Sequence, residues 1–196
     1  MKSTILTTLL GLILFSSFTS TDPVVENKSI DVQKSMVEWK AYKMGGRHYG
    51  TVNIKEGNVK LSDGVLTGGE FTMDMTSILV TDITGGGKTS LEGHLNSPDF
   101  FSVEKFNTAN LKITSVEFKG NGRYNIVADV TIKDITQSVS FEATGYSQKG
   151  KFSAAATIKL DRSKFDVRYG SSSFFDNLGD KVIYDDFDIM VNIVTL

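Results

Sequence analysis

The sequence predicts an all-β fold of about eight antiparallel strands with one or two short helices, closed as an up-and-down barrel or paired as a sandwich. Three observations carry this. From about residue 35 onward apolar and polar residues alternate with a period of two, the signature of strands with one buried face. Turn signals divide that alternation, among them Gly120-Asn121-Gly122 and Lys133-Asp134. Only two short segments, Thr89–Phe101 and Asp161–Phe175, resist a strand reading. Eight strands is also the count at which a barrel interior can hold one small ligand.

Taken in order, residues 1–21 read as a secretory signal peptide, with a charged start at Lys2, an apolar run from Ile5 to Phe15, and small polar residues up to Thr21. That run is short for a bilayer span, and no second apolar run of about 18 residues follows, so stable membrane insertion is not expected. Residues 22–34 form a polar extension, and residues 35–196 make one domain. The first strand places Val37, Trp39 and Ala41 on one side. The next carries Val52 and Ile54, then Val59 and Leu61 after a Glu-Gly-Asn bend, and a third sets Phe71, Met73 and Met75 opposite polar neighbours. Gly85-Gly86-Gly87 reads as a flexible connection to a short helix capped by Thr89 or Ser90, on which Leu91 and Leu95 lie one turn apart and Lys88 is a surface charge. A meander covers residues 111–146. Two final strands follow, the last with Phe187, Ile189, Val191 and Ile193 on one face.

Composition narrows the function. The chain has no cysteine, which excludes disulfides, thiolate metal sites, a cysteine nucleophile and a lipidated cysteine. Formal net charge is −2 with no basic run, so the electrostatic footprint of a nucleic-acid binder is missing. The Gly-Gly-Gly-Lys-Thr at residues 85–89 imitates a phosphate-binding loop, but Asp82 stands where that motif needs glycine and no parallel βαβ context surrounds it. His48 and His94 are the only histidines, and no metal-ligand spacing joins them. No Gly-x-Ser-x-Gly turn is present, and Asp186 and Asp188 share a strand face that reads as solvated. The many phenylalanines and methionines suit either an ordinary core or an adaptable apolar pocket.

The segment Leu91-Glu-Gly-His94-Leu95-Asn-Ser97-Pro-Asp99-Phe100-Phe101-Ser-Val-Glu-Lys105-Phe106 resembles the YceI family of lipocalin-like polyisoprenoid-binding proteins. The resemblance continues through "VEWKAYK", "HYGTV", "LTGGEFTMDM", "VTIKDITQSVSF" and "LDRSKFDVRYGSSSFFDNLGDKVIYDDFDI", covering about residues 35–195. Departures at Asn107, Leu111, Asp134 and Ser138 touch turns and core more than a pocket.

This resemblance implies an eight-stranded antiparallel up-and-down barrel, exported to the periplasm or secreted. It would be a non-enzymatic carrier or reservoir for a long isoprenoid or similar amphiphile, such as a quinone or polyprenyl precursor. The partner is then a hydrophobic small molecule, no cofactor is needed, and a homodimer is compatible with the reading. The expected tail contacts are Trp39, Phe71, Met73, Leu95, Phe100, Phe101 and Phe106, with His48, His94 and Arg162 at the polar end. An ion pair of Arg162 with Asp161 or Asp166 is the competing expectation. Two rival readings are an enzyme using His48 and His94 as acid and base, and a filled barrel acting as a stress-related interaction module.

Overall fold

The computed structural model describes residues 23–196, so the signal peptide expected over residues 1–21 lies outside the described residues. The strands are β1 Val25–Ser29, β2 Met36–Lys43, β3 Gly46–Ser62, β4 Val65–Val80, β5 Thr108–Gly120, β6 Arg123–Ile132, β7 Ile135–Gln148, β8 Lys151–Asp161 and β9 Ile183–Val194; the helix α1, Gly85–Asn96, links β4 to β5. The sheet order is β1-β3-β2-β9-β8-β7-β6-β5-β4, and β3 also pairs with β4, which closes β2 to β9 into an eight-stranded antiparallel barrel. The ninth strand, β1, comes from the segment expected to be only a polar extension. It pairs with the far half of β3, where Val25 to Ser29 meet Ser62 to Asn58. Its alternation is too short and too polar to stand out in the sequence.

The hairpins follow from local chemistry. Asp63-Gly64, Asn121-Gly122, Lys133-Asp134 and Lys149-Gly150 each place two residues at positive φ between paired strands. Such turns match the right-handed twist of the strands they join. The expected Glu-Gly-Asn bend is absent: Glu56 to Asn58 lie inside the 17-residue strand β3, at a register shift against β4 between Ile54 and Glu56. An extra residue in one strand reverses the inward parity. Val52 and Ile54 therefore face inward before it, and Val59 and Leu61 after it, all four being buried.

The glycine run is also not a loop. Gly85, Gly86 and Gly87 form the first turn of α1, with Thr84 rather than Thr89 or Ser90 at its start. Three glycines are poor helix formers, and tertiary bonds make good the deficit. Glu92 accepts the Val80 N–H through Oε1 (2.9 Å), while Lys88 Nζ donates to the Val80 carbonyl (2.8 Å). One helix turn apart, these two side chains satisfy both main-chain groups at the end of β4, so Lys88 is a clamp rather than a free surface charge.

The two barrel ends are built differently. One gathers the turns at Gly64, Gly122 and Gly150, around the fully buried Val59, Phe152 and Thr195. There the Ser147 hydroxyl donates to Gly64 O across the end (2.6 Å), and Phe152 N–H donates to Thr195 Oγ1 (2.9 Å). The other end is covered by α1, by the loop following it, and by residues 162–182.

Candidate functional site

A cavity of about 210 Å³ occupies the barrel between these ends. Its wall runs from Val59, Leu66 and Ile193 to Leu95, Phe100 and Arg162 at the helix end. The interior of an eight-stranded barrel is ordinarily filled by its own side chains. Here small residues leave the room: Ala41 on β2, Ala109 on β5, Ala143 on β7 and Ala154 and Ala156 on β8 all line the space. An apolar cavity of this kind offers water no partners and favours an apolar guest. Its existence removes the filled-barrel reading.

Of the residues expected to contact a tail, Trp39, Phe71, Met73, Leu95, Phe100 and Phe101 line the cavity. The Leu91–Phe106 motif explains the last three. Ser97 ends α1, its N–H and hydroxyl both donating to His94 O (3.1 and 2.8 Å). Phe101 N–H then donates back to Leu95 O and Val103 N–H to Asn96 O (3.1 and 2.9 Å), folding the chain under the barrel so that the Phe100–Phe101 pair meets the interior.

Phe106 is a correction. Its N–H and that of Lys105 donate to Ser102 O, a turn that leaves the ring outside the cavity wall, with Lys105 Nζ 4.8 Å from its centroid.

Neither histidine is part of the wall, and each has its own surroundings. His48 Nδ1 donates to Asp82 Oδ2 (2.8 Å), tying the start of β3 to the segment that leads into α1. Burial raises the Asp82 pKa, but the His48 hydrogen bond and the Tyr49 N–H outweigh it, so the carboxyl lies below its ordinary 3.8. His94 stands edge-on between Phe100 and Tyr169, with centroids 4.8 and 4.4 Å away, and its Nε2 is 3.7 Å from Asp99 Oδ2. Since Phe100 lines the cavity and Tyr169 is 47% exposed, His94 sits between the apolar interior and solvent.

Arg162 touches the cavity but is the hub of the covering loop. Its Nε donates to Tyr184 O (3.2 Å), Nη1 to Val167 O and Tyr169 O (2.9 and 2.8 Å), and Nη2 to Ile183 O (2.8 Å). Its carboxylate partner is neither Asp161 nor Asp166. Asp185 Oδ1 lies 3.2 Å from Nη2, whereas Asp161 caps Ser163 and Asp166 pairs with Arg168. Burial lowers the Arg162 pKa, and Asp185 and Asp161 oppose that shift. With four carbonyls held, little of this guanidinium is left for a ligand head. Asp185 was passed over in the sequence because the YDDFD stretch directed attention to Asp186 and Asp188; of these, Asp188 is also engaged, accepting from Tyr42 (2.7 Å).

A model of the YceI-like domain matches residues 29–195. The chain belongs to the YceI-like domain family. Among curated relatives of this family, a UPF0312 protein of Vibrio parahaemolyticus is 30% identical over 123 residues, spanning 55% of this chain and 65% of that protein, just under two thirds of its length. A UPF0312 protein of Pseudomonas putida is 26% identical over 139 residues, covering 66% of this chain and 70% of its own. Among solved structures, Burkholderia cenocepacia BcnA superposes with a TM-score of 0.70 at 19% identity, over 85% of this chain and 99% of that one. A polyisoprenoid binding domain from Saccharophagus degradans gives 0.61 at 10% identity, over 85% and 96%. At such identities these two structures show that the barrel fold is shared.

Proposed function

We propose that this domain is an exported, non-enzymatic carrier or reservoir for a long isoprenoid or similar amphiphilic lipid, a quinone or polyprenyl precursor being the class in view. The observation that carries the reading is the apolar cavity of about 210 Å³ along the barrel interior. Family membership and the fold shared with a domain described as polyisoprenoid binding support it. No helix among the described residues is long and apolar enough to cross a membrane.

Affinity then comes from the tail, at about 0.8 kcal/mol per buried methylene. The polar end belongs at the helix end, where His94 lies between cavity wall and solvent with His48–Asp82 as a second polar feature. Arg162 acts on this reading through the loop it holds and not as a head-group ligand. The acid–base alternative gains nothing from the geometry, because His48 and His94 each have separate partners and neither lines the cavity.

The decisive experiment is lipid mass spectrometry on mature protein purified from its host, together with native mass spectrometry of delipidated protein mixed with polyprenols or quinones of graded chain length. Each methylene removed lowers affinity about three- to fourfold. Ala156→Phe, which fills the cavity from β8, abolishes uptake. An empty native protein that takes up none of the series overturns the carrier reading.

A further inference from the structure

On three strands the cavity wall gives way to packed core within one inward step. Val59 on β3, Ala154 on β8 and Ile193 on β9 line the cavity. The next inward residue on each toward the turn-rich end is Leu61, Phe152 and, just past β9, Thr195. Each of these is at most 1% exposed and takes no part in the wall. The cavity therefore has a floor.

The inner face of β8 shows how abrupt that floor is. From the turn-rich end it reads Phe152, Ala154, Ala156, Ile158 and Leu160, the bulkiest side chain followed directly by the two smallest. The Phe152 ring reaches the level of the Gly145–Ala154 pair of β7 and β8. A Cβ at position 145 would meet its Cζ at 2.7 Å and the Ala154 Cβ at 3.2 Å, so the ring tip lies beside the last wall residue of β8. Glycine in a strand interior weakens the strand and often marks a close approach. Gly145 has no positive φ to account for it, and what it provides is the seat for this ring. The main chain of Phe152 is fixed as well: its N–H donates to Thr195 Oγ1, and its carbonyl accepts from Thr195 N–H, both at 2.9 Å.

A packed apolar stop gives a tail a fixed depth. Each methylene that still finds wall is stabilised by burial, and the first to reach the ring is not. Going deeper means displacing close-packed side chains, which the core resists. We propose that Phe152, seated on Gly145, is a specificity-determining residue that sets the tail length this domain accepts. This inference rests on the carrier reading and deepens it: the apolar cavity accounts for uptake, and the floor adds a cut-off by length.

The test uses delipidated mature protein and straight-chain primary alcohols lengthened one carbon at a time, up to tails longer than the barrel, with affinities read by native mass spectrometry. In the parent protein affinity climbs about three- to fourfold per carbon and levels off at a definite length. Two substitutions move that break in opposite directions. Ala154→Leu adds three carbons above the ring, on a side chain that faces the cavity, and Phe152→Leu removes three from the floor. The break comes earlier in the first and later in the second. The alcohol at the parent's break binds Ala154→Leu roughly fifty-fold more weakly, the effect of three carbons. Because the two variants read one floor from opposite sides, the result survives the loss of either to misfolding. A break that stays in place in a folded variant, or an affinity that climbs through the whole series, overturns the Phe152 inference and leaves the carrier reading standing. A parent protein that binds no alcohol of any length overturns both.

Discussion

The two ends of the barrel are closed with a different balance of forces. The end around Gly64, Gly122 and Gly150 carries side-chain bonds at its turns, such as Ser147 to Gly64 O, but its centre is apolar packing, with Phe152 fully buried and Gly145 close against it, since a Cβ there would lie 2.7 Å from Phe152 Cζ. The helix end is held by polar groups that reach main-chain atoms: Arg162 on four carbonyls, Glu92 and Lys88 on Val80, and Lys133 and Gln137 on the carbonyls of Asp166 and Lys164 (2.7 and 3.3 Å). The difference is one of cooperativity. Apolar packing is shared among all its members, whereas a side-chain bond to one loop can open without disturbing the strands.

That contrast can be broken from either side. The largest effect is expected for Phe152→Ala, which leaves a void in the packed end and costs about 3–5 kcal/mol of global stability. Urea unfolding should stay cooperative, with a lower midpoint and an unchanged slope. Arg162→Leu comes next at about 3 kcal/mol, because it strands four carbonyls and the Asp185 carboxylate. Its signature is local: hydrogen exchange should quicken in residues 166–183 while the amides of β5 to β7 keep their protection.

A smaller loss, about 1.5 kcal/mol, is expected for Glu92→Ala, which removes the acceptor of the buried Val80 N–H. Exchange at Val80 and along α1 reports it. Equal protection across α1 in the variant and the parent would show that the glycine-rich turn holds without its clamp. The smallest effect is a pH dependence. Asp82 has a folded pKa below its ordinary 3.8, so its contribution is present above about pH 4 and is lost as the pH falls through the folded value. Denaturation between pH 5 and pH 3 should show a shallower decline in Asp82→Asn than in the parent.

Much of the barrel could be read in the sequence, for a reason visible in particular residues. Val37, Trp39, Ala41 and the series Phe187, Ile189, Val191 and Ile193 alternate without interruption, and their inward faces were plain. The reversal between Ile54 and Val59 was hidden, because a bulge is defined by pairing with β4 and leaves no fixed mark in one strand. The helical glycines at 85–87 were misread since their support comes from Val80, Lys88 and Glu92 rather than from propensity. In the site, the aromatic wall was legible through alternation and through the motif around His94. The role of Arg162 was not, as its acceptors are main-chain carbonyls up to 22 residues away, and such acceptors have no sequence signature. The alanines that make room for the cavity were equally silent, since a small residue in a strand announces neither packing nor emptiness.

The packed end around Phe152 gives the barrel the character of a blind tube. A guest that enters has no second exit, so it must back out along its own path, tail last if it went in tail first. A newcomer cannot push it through, and adding competitor in excess should leave its departure rate unchanged. On the carrier reading proposed above, the pace of exchange would then be set on the helix side, where Arg162 fastens the covering loop.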